Sequence, residues 1–222
     1  MARVHCPFRG TQEEDSGGQI MTEVKYIRPE LIEAIARNTL KNYDASLILG
    51  YEAKSVPIED IIESMDLSLE FQYIRKNGRI LGETVFDDDY VPIYNMDEKR
   101  YELIFVERGT IILDASLLRC RTQGRLRFTA AHELAHWLIH QELYSGTGDT
   151  AAMAKSISKS SDADKYIERQ ADMLGSALLL PMCQVKKAFY RLSGDDRVLQ
   201  LATQFGVSKQ AMEIRLRNHH LI

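Results

Sequence analysis

His132, Glu133 and His136 stand as HExxH inside RLRFTAAHELAHWLIHQELY, a run whose spacing predicts a continuous helix of about five turns. Four residues at a rise of about 1.5 Å put the two imidazoles on one face, about 6 Å apart along the axis. Both can then reach a single tetrahedral Zn²⁺ at about 2.0–2.1 Å. Glu133, one position on, does not easily join that ligand set. It is placed to take a proton from a metal-activated water, and is the candidate general base. The plain alternative is two satisfied histidines and a solvated glutamate, but the motif lies within an apolar helix, which favours zinc.

Completion of such a site needs a third ligand. His140 lies on the same stripe, but eight helical residues place it about 12 Å from His132, too far for one ion, so it reads as a packing or supporting residue. The longer pattern HExxHxxGxxH fails, because Ile139 and Glu142 occupy its glycine and third-histidine positions. The later run YIERQADMLGSALLLP offers Glu168 and Asp172, spaced i and i+4 beside a buried stripe of Ile167, Ala171, Leu174 and Leu178. A glutamate ligand and a carboxylate gripping the far nitrogen of a ligand histidine need this spacing. A solvated acidic face near Lys165 and Arg169 is the competing interpretation.

The elements that must position these residues belong to a chain of 222 residues, 45% hydrophobic and 27% charged, values typical of a folded globular protein. A net charge of −4 gives no general positive field for nucleic acid or anionic lipid. Cys6, Cys120 and Cys183 form no CxxC pair and read as free thiols in a reducing cytoplasm. No apolar run of about eighteen residues suggests a membrane span, and the charged first twenty residues do not resemble a secretory signal. The expected location is cytoplasmic, with no membrane partner.

Residues 1–20 read as a mobile tail, 21–185 as a zinc metallopeptidase domain and 186–222 as a C-terminal helical appendage. Helices are expected after Pro29 and Pro57. From Leu67 to Asp114 short β-rich runs alternate with turns, including Asn77-Gly78 as a hairpin signal and an acidic break at Asp87 to Asp89. The expected fold class is α+β and zincin-like: a small, mostly antiparallel sheet, TIILD near its edge, packed on the HExxH helix. Residues 145–161, with five serines and no apolar stripe, read as a long loop that acts as a mobile flap over the cleft. Tyr144 and Tyr166 are the nearest tyrosines for contact with an oxyanion.

RFTAAHELAHWLIH, the ExxAD of Glu168 to Asp172 and ALLLP at 177–181 together resemble the ImmA/IrrE family of zinc metallopeptidases. The resemblance covers roughly residues 50 to 185, with Ala135 where the family often has Gly and Leu180 where it has Met. It implies His132, His136 and Glu168 as zinc ligands and Glu133 as catalytic base, while Asp172 keeps the supporting role that its spacing suggests. It further implies cleavage of a helix-turn-helix transcriptional repressor, with induction of mobile-element or DNA-damage genes. Leu201-Ala202, Phe205-Gly206-Val207-Ser208, Ala211-Met212 and Arg215-Leu216 also resemble a helix-turn-helix, whose second helix bears Lys209, Arg215 and Arg217. Packing within the peptidase is preferred here over DNA contact.

The function so indicated is zinc-dependent hydrolysis of a peptide bond in a protein substrate. The alternative is a regulatory or DNA-binding protein in which zinc is structural or sensory. Structural zinc sites are closed by four protein ligands, whereas this chain offers three and a spare glutamate.

Overall fold

The computed structural model of the chain describes residues 26–119, 123–144 and 162–222; the predicted tail and serine-rich flap lie outside the described residues. Eight α-helices and five strands are found among them. Helices α1 (Pro29–Tyr43), α2 (Ser46–Leu49) and α3 (Ile58–Glu63) come first. Strands β1 (Ser68–Gln72), β2 (Gly82–Thr84), β3 (Asp89–Asn95), β4 (Arg100–Val106) and β5 (Thr110–Asp114) follow. Next are α4 (Gly124–Tyr144), α5 (Asp162–Leu179), α6 (Met182–Arg191), α7 (Arg197–Phe205) and α8 (Lys209–Asn218). The α+β class predicted from the sequence is therefore present. No described helix is long and apolar enough to cross a membrane.

The sheet corrects two expectations. TIILD is the central strand of three, in the order β1-β5-β2, and does not lie at the edge. All five of its residues are buried, which is why it reads as an unbroken apolar run: layers cover both of its faces. Asn77-Gly78 does form a turn, with Gly78 at φ +59° and the Arg79 amide donating to Asn77 Oδ1. Yet the strands on either side do not pair with each other. β1 runs parallel to β5 and β2 antiparallel to it. The actual hairpin is β3–β4, a separate two-stranded sheet. Its first strand begins at Asp89, within the stretch read as an acidic break.

Helix α4 is buried around much of its circumference, from Leu126 and Ala130 to Leu134 and Ala135, because it is enclosed by neighbours. It packs on β2 and β5, on α3, and most extensively on α5. Ala171, Leu174 and Leu178 of α5 join Ile32, Ala36 and Leu40 of α1 in the main core. A smaller cluster, Ile74, Val85, Val91, Val106 and Ile112, fills the space by the β3–β4 hairpin.

The C-terminal hairpin has the turn chemistry its sequence suggests. Gly206 ends α7 at φ +65°, and Ser208 caps α8 by accepting a hydrogen bond from the Ala211 amide. Leu201, Phe205, Met212 and Leu216 belong to the same buried cluster as Leu40 and Leu134. Arg127, in the first turns of α4, donates to the carbonyls of Gly206 and Val56, tying the hairpin to the rest of the fold. Arg215 departs from the exposed basic face expected for it. Only 6% exposed, it holds Glu33 of α1 through two bonds of 2.6 and 2.9 Å and also donates to the Leu180 carbonyl.

Candidate metal centre

Successive residues of an α-helix point about 100° apart, and α4 uses that angle to serve two neighbours. His132 and His136 face α5, while Glu133 turns toward β2. On α5, Glu168, Asp172 and Gly175 share one stripe at i, i+4 and i+7. A Cβ at Gly175 would stand 3.1 Å from the His132 amide nitrogen and 3.2 Å from the Ala131 carbonyl oxygen. The bare glycine lets α5 approach closely enough for the carboxylates above it to reach the imidazoles.

The structure brings the predicted ligand atoms together. His132 Nε2 and His136 Nε2 are 3.0 Å apart, and Glu168 sets Oε2 3.2 Å from the first and Oε1 3.6 Å from the second. A tetrahedral zinc with bonds of about 2.0–2.1 Å holds its donors about 3.3 Å apart. The three separations bracket that value, and two imidazoles with one carboxylate are a donor set suited to zinc. Asp172 Oδ1 lies 3.0 Å from Nδ1 of His132, on the side of the ring away from the other ligand atoms. It occupies the supporting position expected of it.

The electrostatics follow from this crowding. Burial works to lower the His132 pKa, but hydrogen bonds to Asp172 and Glu168 and the charge of Glu133 outweigh it and raise it to about 10. Burial would raise the Glu168 carboxyl, yet hydrogen bonds from the two histidines hold it well below the usual carboxylate range. The metal-free site thus favours a positive charge among these groups.

Glu133 is only 5% exposed. The Thr84 hydroxyl lies 2.8 Å from its Oε2 and 3.0 Å from its backbone carbonyl oxygen. A Cβ at Gly82 would come within 2.6 Å of Glu133 Cγ, so glycine is required for the glutamate to rest against the strand. Gly82 and Thr84 also lie on an edge strand of the sheet among the described residues. Leu81 and Val85 direct their main-chain groups to β5, and alternation turns those of Gly82 and Thr84 outward, beside the metal site.

Sequence reasoning missed this clamp, because nothing local in Gly82-Glu83-Thr84 indicates which helix it meets. It also missed Gln170. His140, 1% exposed, lies with Nδ1 3.0 Å from His136 Nδ1 and Nε2 3.0 Å from Gln170 Oε1. Burial drives its pKa down to about 4. His140 lies behind His136, on the side of that ring away from Glu168 and His132. Tyr144 stacks on Phe86 with centroids 5.1 Å apart, and burial with the Glu168 charge pushes its hydroxyl to about 12. Tyr166 packs by Tyr26 instead.

Comparison with known proteins agrees with the residue-level resemblance. No curated protein matches the chain. The model of the IrrE N-terminal-like domain, peptidase family M78, matches residues 95–217, from the end of β3 through nearly all of α8. With more than half of its length inside that match, the chain belongs to the M78 peptidase family.

Proposed function

We propose that this protein is a cytoplasmic zinc endopeptidase of zincin-like architecture that cleaves a protein substrate, a helix-turn-helix transcriptional repressor. The observation that carries the catalytic part is the convergence of His132, His136 and Glu168 with Glu133 held 100° away against an open strand. His132, His136 and Glu168 would hold a zinc ion, which would supply Lewis acidity to a water and to the scissile carbonyl. Glu133 accepts the proton of the attacking water as the C–O bond forms and delivers it to the amide nitrogen as the C–N bond breaks. Thr84 and Gly82 hold its carboxylate for both transfers.

The outward main-chain groups of Gly82 and Thr84 are suited to pairing with an extended substrate segment. This assigns alignment of the substrate to β2, an edge strand of the three-stranded sheet. The repressor follows from the family resemblance. The test is direct. Purified protein should contain about one zinc per chain, and His136→Ala should lose it. Incubated with a small helix-turn-helix repressor encoded beside it, the protein should cut at a defined bond. A chelator should stop cleavage and added zinc restore it. Cleavage that survives complete metal removal would refute the mechanism.

A further inference from the structure

We propose that Gln170 and His140 form a relay that fixes the tautomer of His136, so that its Nε2 offers a lone pair toward the ligand atoms of His132 and Glu168. The relay rests on the metal-centre reading above, and it assigns positioning roles to two buried residues that touch no ligand atom of that centre.

The argument is a count of protons along the chain of contacts. A side-chain amide oxygen has no proton to give, so the 3.0 Å contact between Gln170 Oε1 and His140 Nε2 uses the proton of His140. A neutral imidazole carries one proton, so His140 Nδ1 is left as an acceptor. The next 3.0 Å contact joins His140 Nδ1 to His136 Nδ1, and its proton comes from His136. His136 Nε2 is then bare, facing Glu168 and His132. With the Gln170 amide reversed, its NH₂ would donate to His140 and the proton of each ring would shift to the other nitrogen. His136 would then present an N–H where a metal needs a lone pair.

His132 obtains the same result from Asp172, which accepts from its Nδ1. The two ligand histidines are therefore fixed by different chemistry: a half-exposed carboxylate for one, and a neutral buried relay for the other. A relay without net charge suits its place. Gln170 is 3% exposed, and a carboxylate there would be costly to bury. Packing alone would be served better by apolar side chains, which need no hydrogen-bond partners.

The experiment uses the full-length protein, metal-free and zinc-loaded. Proton–nitrogen correlation spectra of its imidazoles should show the proton of His140 on Nε2 and that of His136 on Nδ1. A His140 proton on Nδ1 would overturn the relay, with no variant needed. Gln170→Met keeps the volume and removes the acceptor, and should mix the tautomers of both rings and weaken zinc binding about tenfold in chelator competition. Unchanged zinc affinity and tautomers in Gln170→Met would also overturn the proposal. Failure of the unsubstituted protein to take up zinc would instead overturn the metal-centre reading, leaving the metal-free spectra to decide the relay.

Discussion

Where α4 crosses α5, two imidazole nitrogens and a carboxylate face one another across 3.0–3.6 Å. Under α8, by contrast, one guanidinium is answered by a carboxylate and a carbonyl at 2.6–3.1 Å. Both places bury polar groups at a helix packing surface, but with opposite logic. The first gathers three atoms that can all present lone pairs to one cation once the ring protons between them are displaced. The second matches donor to acceptor and leaves little for a ligand to do. Burial of polar groups is thus no guide to function until donors and acceptors are counted.

The sharpest way to break the comparison is to exchange the consequences of mutation. Glu133→Gln keeps shape and metal ligands but removes the group that moves a proton. Repressor cleavage should fall at least about a hundredfold, while zinc content and unfolding midpoint stay near those of the unsubstituted protein. Cleavage within a few-fold of normal would remove the base from the mechanism.

Arg215→Ala should show the converse. Breaking a buried ion pair costs about 3–5 kcal/mol, and the lower end applies because the Glu33 side chain keeps 33% of its exposure. Urea unfolding should register about 3 kcal/mol of lost stability, with zinc stoichiometry unchanged in the folded protein. A loss under about 1 kcal/mol would show the contact to be as weak as an ordinary surface pair.

These two sites were not equally legible. His132, Glu133 and His136 announce themselves because ligand geometry and helix geometry share one period, and Glu168 with Asp172 repeats it on a second helix. Gly206 and Ser208 were equally plain, since a left-handed residue and an N-cap are local requirements. Arg215 was misread because charge indicates an exposed face by default, and only the tertiary position of Glu33 turns it inward. The pairing of β1 with β5 spans the whole hairpin between them and has no local signal. TIILD looked like an edge strand by position, although its unbroken hydrophobicity already pointed to burial on both faces. Strand β3 was hidden by Asp89 and Pro92, residues that usually mark turns.

Glu83 offers a finer test, because it shares β2 with the Glu133 clamp but points to the other face, beside Ile112. Burial, reinforced by the charge of Glu133 and only partly offset by Arg75, raises its pKa from 4.5 to about 7. The folded protein therefore keeps a proton that the unfolded chain loses above pH 4.5. This contribution to stability is full below pH 4.5 and is lost as pH rises through 7. Glu83→Gln lacks the titration, so its stability relative to the unsubstituted protein should improve by on the order of 3 kcal/mol between pH 4.5 and 8.5. Parallel pH profiles for the two proteins would place Glu83 in a better solvated setting than its burial indicates.

Asp172 gives the smallest effect and the narrowest discrimination. Its carboxylate accepts from His132 Nδ1 at 3.0 Å and its side chain remains 58% exposed, so its loss should hardly alter folding. Orientation of the ligand ring is what it supplies. Asp172→Ala should weaken zinc affinity about 10- to 100-fold, whereas Asp172→Asn keeps an acceptor oxygen in place and should stay within a few-fold of normal. The gap between those variants separates support from ligation, since a neutral amide can hold a ring N–H but is a poor substitute for a carboxylate bound to the metal. Equal, severe loss of zinc in both would make Asp172 a ligand. It would also leave the far nitrogen of His132 without the partner that the relay gives His136.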